Sequence, residues 1–249
     1  MKYIGSKAKI AKHIVPIIQE YINKSDKKIY IEPFVGGANV IDKIKATFRI
    51  GNDFDKFVID LYTSTIKDPT LLDKLPDFVT KEMFYDVRDN EEKYDNWYRS
   101  AILLFASYNA RVYGGCYGAY AKTKDGNIRN YYQEALRNYK KQIQNLKNVL
   151  FTNWDYRDIK DLELGGAVIY CDPPYAEGIG YKSKFNHEEF WQWVRETSKN
   201  NIVIVSEYTA PDDFDCIWSM PVKTHLNNRN KIDKVEKLFI YKNKGGTRC

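Results

Sequence analysis

The sequence predicts a doubly wound α/β fold, on three observations. Short β-type runs alternate with segments of helical periodicity, near 29–31, 48–52, 149–152, 167–171 and 201–206. The first run opens into a glycine turn, as strands do ahead of a crossover in nucleotide-binding βαβ units. The chain closes on two alternating runs, 216–218 and 235–241, that read as an antiparallel pair with a polar loop at 227–231. Between 62 and 148 the alternation is lost. Pro69 and Pro76 interrupt short helical pieces there, and longer helices are expected over 97–110 and 130–147. The chain therefore divides into a sheet-bearing part, 1–61 and 149–249, and a mostly helical insert, 62–148.

Composition narrows the classes. A chain of 249 residues, 43% hydrophobic and 29% charged, can bury a substantial core and has the make-up of a soluble globular protein. Its formal charge of +6 is compatible with a polyanionic partner, and its 20 tyrosines can stack on bases while still facing water. Cys116, Cys171, Cys216 and Cys249 form no CxxC or His-paired pattern, so neither a metal site nor a disulfide framework is expected. The absence of a signal-peptide pattern or long apolar span predicts a cytoplasmic setting with no membrane contact.

Taken in order, Ile10, Ile14, Ile18 and Tyr21 share one helical face, with Ser6 as N-cap and Pro16 as a kink or break. Ile29-Tyr30-Ile31 is a strand, Glu32-Pro33-Phe34-Val35-Gly36-Gly37 the turn, and Val40, Ile41 and Ile44 predict a helix behind it. The glycine pair permits positive φ and close backbone approach to a ligand at a helix N-terminus. Two glycines fall short of the three-glycine fingerprint, which argues against a dinucleotide-dependent oxidoreductase. The strand Phe48 to Asn52 ends in Asp53, where a βαβ unit places the acid that binds two ribose hydroxyls. Asp55 is the rival carboxylate, or else the N-cap of a helix over 54–66.

Further on, Tyr108, Asn109, Arg111, Tyr113, Tyr117, Lys122 and Lys124 lie in a glycine-rich stretch suited to tracking phosphates and stacking on bases. The strand Val149–Thr152 runs into Asn153-Trp154-Asp155-Tyr156. Ala167–Cys171 is short, apolar and halted by Asp172-Pro173-Pro174-Tyr175, because proline supplies no ladder donor. Asp172 and Pro173 each precede a proline and are held extended. One carboxylate and one carbonyl can then aim at a single point beside the flat face of Tyr175, a pair of acceptors suited to the exocyclic amine of a planar base. Tyr181, Lys182, Lys184 and Phe185 follow in a polar loop able to grip an extruded nucleotide or its flanking phosphates. His187, at the start of a helix carrying Phe190 and Val194, reads as structural.

Five segments in this order resemble the DNA adenine-N6 methyltransferases over nearly the whole chain: Lys2-Tyr3-Ile4-Gly5-Ser6-Lys7, Glu32-Pro33-Phe34-Val35-Gly36-Gly37, Asn52-Asp53, Asp155-Tyr156 and Asp172-Pro173-Pro174-Tyr175. The resemblance implies a Rossmann-like S-adenosyl-L-methionine-dependent methyltransferase sheet, with 62–148 as a target-recognition insert. It implies that the segment of Tyr3 and Lys7 closes over the cofactor's carboxylate and methionine portion, and that Glu32, Pro33, Phe34, Gly36 and Gly37 form the cofactor loop. Asp53 is then the ribose ligand. Asp155 accepts from the cofactor's adenine amine and Tyr156 packs against its ring, although Trp154 stands where the family often has glycine. Asp172 also borders the cofactor.

The implied reaction is methylation of a flipped adenine in double-stranded DNA, with Asp172 and Pro173 accepting from the target amine, Pro174 fixing the turn and Tyr175 stacking on the base. The implied setting is a bacterium or phage-infected host, with a cognate restriction endonuclease as a further partner and a monomer or weak dimer as the working form. Cytosine-N4 methylation uses the same chemistry, and an RNA or protein-glutamine methyltransferase shares its acceptor logic. A DNA-binding protein that keeps the fold without turnover is the non-enzymatic alternative.

Overall fold

A computed structural model of the chain describes every residue except 4, 111–114, 162–165, 176–184, 228–229 and 243–249. The backbone alone is described for 109, 160–161, 223–227 and 230–233. Seven strands make one sheet, ordered β5 (Val149–Thr152), β2 (Phe48–Asn52), β1 (Ile29–Glu32), β6 (Ala167–Cys171), β7 (Ile202–Glu207), β9 (Asn230–Tyr241) and β8 (Phe214–Asn227). The first five run parallel, and β9 is antiparallel to both β7 and β8.

Side-chain alternation divides the core between the two faces. Tyr30, Val168, Tyr170 and Ile204 point to one face, which is covered by α1 (Ala11–Lys24), α2 (Lys56–Lys67), α3 (Lys81–Asp89), α4 (Asn96–Ala106) and α5 (Tyr131–Gln142). Their neighbours Ile31, Ile169, Cys171, Val203 and Val205 point to the other, where α6 (His187–Thr197) lays down Phe190, Trp191, Trp193 and Val194. All five residues of β6 are buried, as expected of a central parallel strand that reads as one apolar run. The doubly wound prediction therefore holds. One continuous core joins Ile14 and Tyr62 to Leu72, Phe84, Leu103 and Tyr139, so the helical segment packs on the same sheet face as α1.

Several local expectations are corrected. Ser6 caps a 3-10 turn, Lys7–Lys9, by accepting from Ala8 N at 3.2 Å, and α1 starts one turn later at Ala11 with Pro16 inside it. No helix follows the glycine turn: Ile41–Lys43 is a single 3-10 turn. Only 33–47 joins the parallel neighbours β1 and β2, and the glycine turn uses the first half, too little for a helix and a return. The helix expected over 97–110 stops at Ala106, and that over 130–147 becomes a 3-10 turn after Gln142. A small hairpin, β3 (Tyr120–Lys122) with β4 (Ile128–Asn130), lies in the segment read as mostly helical. The terminal pair is far longer than 216–218 with 235–241, and the expected polar loop at 227–231 instead carries Asn227 and Asn230 paired in the ladder. Antiparallel pairing proceeds there through backbone groups regardless of polar side chains.

The placement of β1 matters most for function. The chain leaves β1 for β2 on one side, while β6 borders it on the other. The crevice at the carboxyl ends of β1 and β6 is thus the topological switch point, where open α/β sheets bind ligands.

Candidate active site

The loop after β1 is held from both sides. Gly36 N donates to Asp53 Oδ2 at 2.8 Å, and the Tyr62 hydroxyl donates to Gly36 O at 2.9 Å. Gly36 has φ +41°, and a Cβ there would stand 2.9 Å from the Tyr3 ring, so glycine is required on both conformational and steric grounds. A Cβ on Gly37 would meet Met1 O and Tyr3 Cβ at 2.9 Å. The segment carrying Tyr3 and Lys7 therefore lies directly against the glycine turn. Asp53 also accepts from Asp55 N at 2.9 Å, while Asp55 caps α2 through Phe57 N at 3.0 Å. Burial pushes the Asp53 carboxyl up to about 6 against those two backbone hydrogen bonds. Glu32, buried at the end of β1, accepts from the Tyr30 hydroxyl at 2.7 Å, and burial holds it well above the usual carboxylate range. Pro33 O accepts from the Asn52 amide at 3.1 Å.

On the other side of β1, Asp172 follows β6 immediately and is half-buried. Lys7 Nζ donates to Asp172 Oδ1 at 2.6 Å and lies 4.5 Å over the Tyr175 ring. Burial pushes the Asp172 carboxyl up to about 6, with the Lys7 ammonium opposing the shift and Glu236 adding to it. The Tyr175 hydroxyl donates to Glu236 Oε1, which also accepts from Ser206 Oγ at 2.6 Å, and Tyr208 stands edge-on to Tyr175 at 4.6 Å. The carboxylate and its neighbouring aromatic face thus share one cation. That cation is Lys7, the residue whose resemblance-derived partner is the cofactor carboxylate.

A third wall is aromatic. Tyr156 and Phe34 are 5.3 Å apart, with Phe185 and Phe190 within 5.8 Å of both. Asp155 is gripped by Arg157 through Nε at 2.8 Å and Nη2 at 2.6 Å, which holds its carboxyl below the usual range. Asn52, buried at the end of β2, ties Trp154 N and Thr152 Oγ1 at 2.8 Å each, so the loop after β5 is wired to the loop after β1.

The structure thus brings Tyr3, Lys7, Glu32, Pro33, Phe34, Gly36, Gly37, Asp53, Asp155, Tyr156 and Asp172 through Tyr175 to one edge of the sheet. The residues read as DNA contacts are less gathered. Tyr108 is 63% exposed, and Lys122 and Lys124 are exposed on and after β3. Tyr117 is half-buried, packs on Phe84 and donates its hydroxyl to Val79 O at 2.7 Å. Arg111, Tyr113, Tyr181 and Lys182 lie outside the described residues, as does the Asn109 side chain. Sequence reasoning missed Ser206 and Glu236 as parts of the site, and named Asn52 beside Asp53 without giving it a role of its own. Strand alternation could have flagged Glu236, which shares a strand face with Leu238 and is therefore a carboxylate in a buried row.

A parallel sheet with an antiparallel edge pair, a glycine turn locked to an acid on the next strand, and Asp-Pro-Pro-Tyr at the switch point together define an amino-methyltransferase of the nucleic-acid type. The chain belongs to the D12 class N6 adenine-specific DNA methyltransferases, whose family model matches residues 3–214. It is 27% identical over 200 residues to the Type II methyltransferase M.MjaIII of Methanocaldococcus jannaschii, covering 70% of this chain and 68% of that one. It is 29% identical over 163 residues to a DNA adenine methylase of Serratia marcescens, covering 59% of this chain and 57% of the relative. Among solved structures, the rRNA methyltransferase aviRa of Streptomyces viridochromogenes aligns over 94% of this chain and 85% of its own, at 10% identity and a TM-score of 0.45.

Proposed function

We propose that the protein methylates the N6 amine of an adenine turned out of duplex DNA, using S-adenosylmethionine. The observation that carries this reading is the placement of Asp172, Pro173 and Tyr175 at the switch point, with a cation already seated on the Asp172 carboxylate. Chemically, the donor set fits the cofactor. Asp53 uses two of its roughly four acceptor sites on backbone N–H groups and pairs with no cation among the described residues, which leaves room for hydroxyl donors of a ribose. Phe34 and Tyr156 offer aromatic faces one loop away, and Asp155 a carboxylate beside them. Lys7 is a cation within the segment that covers the glycine turn, which suits a carboxylate end. No helix among the described residues is long and apolar enough to cross a membrane.

When bound, S-adenosylmethionine supplies an electrophilic methyl group. The chain's own part is to make a poor nucleophile competent. The adenine amine's lone pair is delocalised into the ring, so Asp172 and the Pro173 carbonyl accept its two N–H groups and draw the nitrogen toward tetrahedral geometry. The charge-assisted bond to Asp172 contributes about 1.5–3 kcal/mol and the neutral one to the Pro173 carbonyl about 0.5–1.5 kcal/mol. Tyr175 supports the extruded base, and the rest of the acceleration comes from holding two reactants in attack geometry. Extrusion itself costs about a few kcal/mol, since the amine is otherwise paired.

Segment 62–148 is the proposed target-recognition part, with Tyr108, Lys122 and Lys124 on its exposed side. If the two lysines meet phosphates, replacing both should lower the log–log salt dependence of DNA binding by about 0.9 per contact. The reading as a whole is tested by methyl transfer from labelled S-adenosylmethionine to unmethylated DNA, followed by nucleoside analysis. Labelled N6-methyladenine is the expected product; label in N4-methylcytosine, RNA or protein instead would refute the adenine assignment.

A further inference from the structure

Asp172 must accept an amine, yet Lys7 Nζ sits 2.6 Å from Asp172 Oδ1 and 4.5 Å over the Tyr175 ring. The ammonium stands between the acceptor and the stacking face, in the space the chemistry assigns to the target amine. It carries only donors and cannot share that space with another donor. Nor can a side chain only 8% exposed give up its carboxylate without a second one to receive it. Glu236 provides one: its Oε1 lies 3.9 Å from Lys7 Nζ, so a displacement of about 1 Å makes a full ion pair. Glu236 is 4% exposed, on β9, outside the span that matches the family model. Among the described residues, the groups facing the pair are Lys7 from the N-terminal segment, Tyr170 and Tyr175 from β6 and its turn, Ser206 from β7, and Glu32 from β1, and Lys7 is the one cation of these.

We propose that Glu236 is a positioning residue for the transfer step: it anchors Tyr175 through its hydroxyl and receives the Lys7 ammonium when the target amine takes Asp172. The proposal rests on the reading that Asp172 and Tyr175 hold that amine. Glu236 then acts only through Tyr175 and Lys7. Glu236→Gln keeps an oxygen for Tyr175 and Ser206 but removes the charge that would receive Lys7. Glu236→Asp keeps the charge and shortens the reach.

The test is single-turnover methyl transfer to duplex DNA across the acid-to-neutral range, with cofactor affinity measured by calorimetry on the same proteins. Glu236→Gln should slow transfer roughly 10- to 100-fold with cofactor affinity unchanged. Its acid limb should move to lower pH, because Asp172 loses a like-charged neighbour. Glu236→Asp should recover part of the rate. Native transfer and an unmoved limb in Glu236→Gln would overturn the proposal. So would a rate loss matched by lost cofactor affinity, which would assign Glu236 to cofactor binding and not to the transfer step. Failure of the adenine reading is separately visible: the native protein would then label a different acceptor, and the Glu236 comparison can be read on that acceptor.

Discussion

Two aspartates flank the loop after β1, one on each side, and they are held in opposite ways. Asp53 ends β2 and Asp172 ends β6, and burial pushes both carboxyls up to about 6. Asp53 is fixed by backbone N–H groups of Gly36 and Asp55, which cannot leave without unfolding the turn. Asp172 is held by the end of one lysine side chain, which can. A carboxylate bound to fixed donors shapes a pocket; one bound to a displaceable donor can take part in an exchange. The same raised pKa therefore accompanies a fixed turn beyond β2 and, in the proposed reading, chemistry beyond β6, the two strands on either side of β1.

The sharpest way to break the comparison is to truncate each acid in turn. Asp172→Ala should lower turnover by at least about 100- to 1,000-fold, the usual cost of losing a preorganised electrostatic partner. S-Adenosylmethionine binding, followed by calorimetry, should remain within severalfold of native. Asp53→Ala should instead act on the fold. It strands two partly buried N–H groups at up to about 1–3 kcal/mol each, so denaturant unfolding should show a loss of up to roughly 2–6 kcal/mol together with weaker cofactor binding. Transfer at saturating cofactor should stay much closer to native than in Asp172→Ala. Equal damage to the saturated rate in both variants would erase the distinction.

A medium-sized effect comes from pH. In the proposed reading Asp172 must be ionised to accept from the amine, so transfer should fall as pH drops through about 6. Stability runs the other way for these two groups. Each has a folded pKa raised from 3.8 to about 6, so its favourable contribution is fully present below 3.8 and is lost as pH rises through 6. Asp172→Asn should flatten part of that stability slope between about pH 4 and 6, as measured by urea unfolding at each pH. A slope identical to native would show that Asp172 does not titrate there.

The place of both aspartates was largely legible in the sequence, because its cues are local. Prolines end β6 before Asp172 can continue it, a glycine pair marks the turn after β1, and Asp53 closes the next strand; each reports on backbone geometry within a few residues. The Lys7–Asp172 pair spans 165 positions and is created by sheet order, which brings the N-terminal segment over the end of β6. Nothing near Lys7 announces that partner. Glu236 was hidden for the same reason, though its place in a buried strand row left a trace. The missing helix at 41–43 has a different cause, since Val40, Ile41 and Ile44 are buried just as helical periodicity requires, but the crossover is too short to build one.

The smallest effect is the most discriminating. Lys7 opposes the burial that raises Asp172, so Lys7→Gln should move the acid limb of transfer to higher pH. Measured at saturating cofactor, the loss near neutral pH should be modest and should deepen as the medium is acidified. Asp53→Asn touches no group facing Asp172 and should leave the limb in place. Glu236→Gln should shift it the opposite way, because that substitution removes a negative neighbour where Lys7→Gln removes a positive one. Opposed displacements of one limb by two substitutions 3.9 Å apart cannot come from general loosening of the fold, which would move both in the same direction. They require Asp172 to titrate between a cation and a carboxylate, which is the arrangement that separates this acid from Asp53.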